Sequence, residues 1–188
     1  MRTCKEYREI GWKAVSQNWG MSILFNFLAM FIISALTGTV AGMIIIGPFV
    51  IGMQMFYLKA VRGQDKGYET LFDAAKSDFV NSMIVVLLKT VFIMLWSLLL
   101  IIPGIIMSYA YSMTEYIYID NPSLSASQCL EKSKELMKGK KGKLFLLDLS
   151  FIGWFLLCLL TFGILTFWVS PFQMATRAAF YEDIKEEI

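Results

Sequence analysis

Three long stretches of this chain carry no charged residue: Ala14 to Leu58, Thr90 to Thr114 and Leu149 to Thr176. A water-soluble domain, in which roughly a quarter of residues are charged, does not leave such gaps. One crossing of a hydrocarbon core takes about 20 apolar residues. The first stretch, 45 residues long, therefore holds two crossings, and the others are each long enough for at least one. Over all 188 residues only 17% are charged and 57% are hydrophobic. The chain is read as a multi-pass membrane protein, all-α, forming a single integral membrane domain over 1–188.

Helices are predicted over 20–37, 41–59, 81–101, 104–119, 144–161 and 164–181. They are separated by Thr37-Gly38-Thr39, Ile102-Pro103-Gly104 and Thr161-Phe162-Gly163, where glycine or proline ends a helix. These turns are short and uncharged. The other connections, 59–80 and 120–143, are long and basic, and with the terminal segments they hold 16 of the 17 basic residues; Lys89 is the exception. The positive-inside rule then places both termini and both long loops in the cytosol. Six transmembrane helices arranged as three hairpins satisfy that parity. The N-terminal charges are of mixed sign and precede an overlong apolar run, so no cleaved signal peptide is expected.

Each hairpin is preceded by a polar-apolar segment with helical spacing. Tyr7, Ile10, Trp12, Val15 and Trp19 form one face, Tyr68, Leu71, Phe72, Ala75 and Phe79 a second, and Ala126, Cys129, Leu130, Ser133 and Met137 a third. These are read as amphipathic interfacial helices on the cytoplasmic face. Pseudo-repeats would then run over 1–62, 63–122 and 123–188, with Pro48, Pro103 and Pro171 near the start of each second span. The other reading is that short outer turns simply favour proline and glycine. Trp19, Tyr57, Tyr116, Tyr118 and Tyr181 fall near the inner boundary and read as an aromatic belt.

The last third carries a recognisable set: Ser133-Lys134, Leu136-Met137-Lys138-Gly139, Leu149-Ser150-Phe151-Ile152-Gly153-Trp154, Gly163, Trp168, Pro171, Thr176 and Phe180-Tyr181. With Ile101-Ile102-Pro103-Gly104 and Gly47-Pro48, it resembles a bacterial family of integral membrane proteins catalogued as a domain of unknown function. Phe172 and Leu165 depart from that pattern. The resemblance implies six spans in a bacterial cytoplasmic membrane and brings no catalytic residues. More remotely, the chain is similar to the membrane domain of some glycerophosphodiester phosphodiesterases.

Charges inside spans are the candidates for function, because each costs about 3 kcal/mol to insert at the bilayer centre. There are four: Lys89, Glu115, Asp148 and Arg177, all in the cytoplasmic halves of their spans. In the functional reading they form a neutral cluster at the floor of a cytosol-facing cavity that binds a zwitterionic or charged amphiphile or exchanges protons. In the structural reading Lys89 pairs with Asp148 or Glu115, and Arg177 reaches the headgroups. The run Lys138, Lys140, Lys141 and Lys143 is expected to contact anionic lipid headgroups. Its glycines lack the spacing of a nucleotide-binding loop.

There is no histidine, and Cys4, Cys129 and Cys158 lack metal-ligand spacing, so no metal, cofactor or catalytic site is assigned. The thiols are expected to be reduced. A net charge of +2 does not point to nucleic acid. The expected activity is non-enzymatic, binding or moving a small amphiphile. The expected partners are membrane lipids, mainly anionic. The alternative is an accessory subunit docked on a membrane protein partner.

Overall fold

The computed structural model describes residues 2–17, 19–37, 40–64, 67, 69–161, 163 and 165–185. The expected turn at Gly38-Thr39, and Tyr68 and Phe162, lie outside the described residues. Eleven helices are found among those described, and no strand. The first, α1 (Cys4–Ser16), opens on a capping box in which Thr3 accepts from the Glu6 amide and the Glu6 side chain accepts from the Thr3 amide. Then follow α2 (Trp19–Thr37), α3 (Val40–Val61), α4 (Thr70–Ser77), α5 (Phe79–Leu99) and α6 (Ile101–Ala110). The chain continues through α7 (Thr114–Asp120), α8 (Ala126–Leu136), α9 (Lys141–Leu149), α10 (Ile152–Leu160) and α11 (Thr166–Ile184). A second capping box, Ser125 with Gln128, starts α8.

Four of the six predicted long helices are continuous, as α2, α3, α5 and α11. The other two are interrupted. Residues 104–119 divide into α6 and α7 around Tyr111 to Met113, and residues 144–161 divide into α9 and α10 at Ser150-Phe151. Neither break contains glycine or proline. At the first, the Ser133 hydroxyl of α8 donates to the Ala110 carbonyl at 2.9 Å and accepts from the Met113 amide at 3.2 Å. At the second, Arg8 of α1 donates to the Ser150 carbonyl at 3.5 Å. Backbone groups released from the helix ladder thus find partners on remote elements.

The expected break at Ile102-Pro103-Gly104 is displaced. Leu100 is extended, with φ −161° and ψ 139°, and α6 starts immediately after it. Pro103 then lies in the first turn of α6, where its missing N–H leaves no helix bond unmade. A Cβ on Gly104 would lie 2.4 Å from the Ser97 hydroxyl, so glycine permits the close return of α6 along α5. The turn at Gly163 is as expected: φ is +85° and its amide donates to the Cys158 carbonyl at 2.8 Å.

Phe79–Leu98 and Lys141–Leu160 are each long and apolar enough to cross a membrane, and the bent pair Cys4–Ser16 with Trp19–Ala35 makes a third if counted as one span. Both of the first two are little buried within the chain. Leu98, Ile101, Ile102, Leu159 and Leu160 are all more than 70% exposed. Such a surface is too apolar to face water, whose exclusion from it is worth about 25 cal/mol per Å².

The packed core lies elsewhere. Phe25 stacks on Phe56 with ring centroids 3.8 Å apart, and Tyr7, Tyr57, Ile51, Leu71, Met137 and Phe180 are fully buried around them. The stripe of α1 that carries Tyr7, Gly11, Ala14 and Val15 packs along α11. At Gly11 a Cβ would lie 2.5 Å from the Thr176 hydroxyl and 2.8 Å from its amide nitrogen. The apolar faces of α1 and α8 are therefore covered by protein, which corrects the reading of them as stripes laid on a lipid surface. Trp12, placed on the α1 face by spacing, is instead half exposed.

The aromatic belt is also corrected. Tyr57, Tyr116, Tyr118 and Tyr181 are each at most 4% exposed, so they are core residues, and only Trp19 stays partly exposed. Tyr116 stacks on Tyr181 at 5.2 Å, and the Tyr181 hydroxyl donates to Asp120 at 3.0 Å.

Candidate functional site: a polar cleft between two ion pairs

The four charges singled out in the sequence meet as two pairs. Lys89, midway along α5, donates to both carboxylate oxygens of Glu115 at 2.6 and 2.7 Å. Glu115 is in the first turn of α7, where the helix dipole favours a negative charge. Arg177 of α11 donates through Nε to Asp148 Oδ1 at 3.2 Å and through Nη2 to Oδ2 at 2.6 Å. Asp148, near the end of α9, also accepts from the Tyr109 hydroxyl at 3.1 Å and the Gln173 amide at 3.4 Å. Lys89 is thus partnered by Glu115 and not Asp148, and Arg177 turns to Asp148 instead of extending to headgroups. Fork geometry explains the second choice: a guanidinium and a carboxylate match bidentately, whereas the ammonium of Lys89 is a point charge.

A cleft of about 480 Å³ opens beside both pairs, lined by Gln54, Lys89, Ser108, Tyr109, Ser112, Tyr116 and Arg177, with Ile93, Ile105 and Met174 as its apolar part. Lys89 and Arg177 line it, while Glu115 and Asp148 stand behind them. Side-chain exposure shows the same order: 17% for Lys89 against 4% for Glu115, and 39% for Arg177 against 14% for Asp148. The pairs are neutral as sets, but the wall they present is cationic. Donors remain on that wall, because Lys89 has three N–H groups and Arg177 five.

Gln54 Oε1 is buried and has no hydrogen-bond partner among the described residues. Such an acceptor is costly, by about 1 to 3 kcal/mol, unless something donates to it. A polar amide in the 45-residue uncharged run was visible in the sequence; its position beside Lys89 and Arg177 was not. Tyr109 likewise joins the site only through folding.

A second charged network lies at the ends of α3, α7 and α11. Arg62 donates to Glu182 Oε1 at 2.8 Å and to Asp120 Oδ2 at 2.6 Å, and Lys185 joins Glu182 at 2.9 Å. Asp183 accepts from the Tyr7 hydroxyl and the Arg2 amide. Burial alone would raise its carboxyl pKa, but these donors outweigh burial and hold it below the ordinary 3.8. A hollow of about 610 Å³ lies beside this network, between Arg2, Lys13, Arg62, Glu182 and Asp183. Here acids line the wall together with the bases, so the hollow has no single sign.

Of the four loop lysines, Lys143 lies 5.5 Å from the centre of the Tyr7 ring, a cation–π contact that ties α9 to α1, and Lys138 is exposed. Lys140 and Lys141 are half-buried. The three cysteines are free thiols, and burial pushes that of Cys129 up to about 11, away from reactivity. Among the described residues no group of three His, Cys, Asp or Glu side chains is arranged to hold a metal ion.

This is the arrangement of a helical protein with a polar cleft and exposed apolar helices. Residues 97–187 match the model of a family described as protein of unknown function, DUF975. The matched region begins in α5 and runs past the end of α11, so it contributes Glu115, Asp148 and Arg177 but not Lys89 or Gln54. No curated protein and no solved structure matches the chain.

Proposed function

We propose that this chain is a non-enzymatic, multi-pass protein of the bacterial cytoplasmic membrane, with six spans in three hairpins and both termini in the cytosol. Its role is to bind or move a small amphiphile with a charged headgroup through the cleft beside Lys89 and Arg177. The observation that carries this is the ordering of charge at the cleft: both cations line it and both carboxylates lie behind. That ordering gives an anionic headgroup two cations to meet at the cleft. The volume suits a headgroup and the first methylenes of one chain, and Ile93, Ile105 and Met174 offer those methylenes a surface.

The test is binding of a single-chain phospholipid to the protein in a neutral detergent, followed by calorimetry. Saturable binding is expected, and it should fall at least about tenfold in the Lys89→Met/Glu115→Leu double variant, which removes a cation without stranding its partner. Equal binding by parent and double variant, or no binding by the parent, overturns the reading.

A second reading has its own support. Leu98 and Ile101 at the junction of α5 and α6, and Leu159 and Leu160 on α10, are bare apolar residues, and a membrane protein partner covers such residues as well as lipid does. In that reading the chain is an accessory subunit, and crosslinking from Ile101 and Leu159 in native membranes would capture protein and not lipid. Anionic lipids, drawn by Lys138, Lys140, Lys141 and Lys143, are the proposed surroundings in either case.

A further inference from the structure

We infer that the ligand of the cleft is a zwitterion whose positive end is a primary ammonium, with its anionic end, phosphate or carboxylate, on Lys89 and Arg177. This rests on the reading of the cleft as an amphiphile site and goes further by assigning the headgroup.

The argument is an account of donors and acceptors around one space. The lining holds spare donors. Two of the three Lys89 N–H groups are taken by Glu115, leaving one, and Arg177 gives Asp148 its Nε–H and one Nη2–H, leaving both hydrogens of Nη1 and the second of Nη2. These point to an oxyanion. The same lining holds spare acceptors. Gln54 Oε1 is buried and unpartnered. Ser108 and Ser112 donate their hydroxyl hydrogens to the carbonyls of Ile105 and Tyr109, at 2.7 and 2.8 Å, and so turn only lone pairs to the cleft.

A simple anion would use the donors and leave Gln54 orphaned. A quaternary ammonium would satisfy charge but has no N–H to give. A primary ammonium supplies three donors, enough for Gln54 and the two serine hydroxyls. Phosphoethanolamine and amino-acid headgroups share this chemistry.

The experiment compares single-chain lipids of one acyl length in neutral detergent. Headgroups are phosphoethanolamine, its N-methyl, N,N-dimethyl and trimethyl forms, and phosphoglycerol; free phosphoethanolamine is tested beside them. Affinity is expected to fall with each N–H replaced by methyl, by about tenfold over the series, with phosphoglycerol near the trimethyl form. Gln54→Leu should bring phosphoethanolamine down to the trimethyl level and leave phosphoglycerol unchanged. Binding of the free headgroup as tightly as its lipid would assign a soluble zwitterion and remove the acyl chain from the proposal.

Equal affinity along the methyl series overturns the ammonium assignment. If those equal affinities still fall in Lys89→Met/Glu115→Leu, the amphiphile reading survives; if no lipid binds, both fail. The methyl series uses the unaltered protein, so the result stands even where Gln54→Leu fails to fold.

Discussion

Two regions of the molecule use the same apolar residue types to opposite ends. Around Phe25, Phe56, Tyr7 and Phe180, the inward side chains of α1, α2, α3 and α11 bury one another completely. Along α5, α6 and α10 comparable leucines and isoleucines remain bare. The first region is stabilised by the chain itself, the second only by what surrounds it. Helix composition alone does not distinguish them. Small residues at crossing points draw the first region together, Gly11 against Thr176 and Gly52 against the Leu71 backbone, whereas the one such crossing at the far end of α5, Gly104 against Ser97, joins α5 only to α6 and leaves the outer faces of both bare.

If that contrast is right, substitutions should sort by region. The largest effect is expected from Glu115→Gln, which strands Lys89 where only 17% of its side chain is exposed: about 3 to 5 kcal/mol of unfolding free energy in detergent, most of it regained in Lys89→Met/Glu115→Leu. No loss in the single variant would mean that water reaches the pair freely. Next comes Gly52→Val, whose Cβ would meet the Leu71 carbonyl oxygen at 2.4 Å; about 1 to 3 kcal/mol or more should be lost, seen as a lower melting temperature.

Ser133→Ala removes both bonds across the α6–α7 break and should cost about 1 to 3 kcal/mol, with faster amide exchange at Met113. A smaller effect is expected from acid. The Asp183 carboxyl is held below its unfolded value of 3.8, so its contribution is complete above that pH and lost as pH falls through the folded value. Tyr7→Phe should shrink the loss of melting temperature between pH 6 and pH 3. The smallest effect belongs to the bare wall: Leu159→Ala and Ile101→Ala should change stability by no more than about 0.5 kcal/mol. A loss of several times that would show that a protein surface covers these residues.

The long helices were legible in the sequence because uninterrupted apolar runs and glycine turns are local signals. So were the four charges, since cost singles them out wherever they pair. Which carboxylate meets Lys89 was not legible, because Glu115 and Asp148 lie on different helices and the choice depends on how α7 and α9 approach α5. The breaks at Tyr111 and Ser150 were hidden for a related reason: no breaker residue marks them, and the bonds that hold them come from Ser133 and Arg8, far away in sequence. The faces of α1 and α8 were read correctly as apolar and wrongly as lipid-facing, since amphipathicity records that a stripe is covered and not by what. The tyrosines misled in the same way, as a ring with one polar atom fits an interface or a core equally well.

Ser133 has a consequence beyond the local kink. In an apolar surrounding no water stands ready to bond a released carbonyl or amide. Lifting α8 away would therefore undo α6–α7, and with it the placement of Glu115 behind Lys89. One hydroxyl thus couples α8 to the wall of the cleft, so a displacement of α8 would be felt at the cation that faces the cleft.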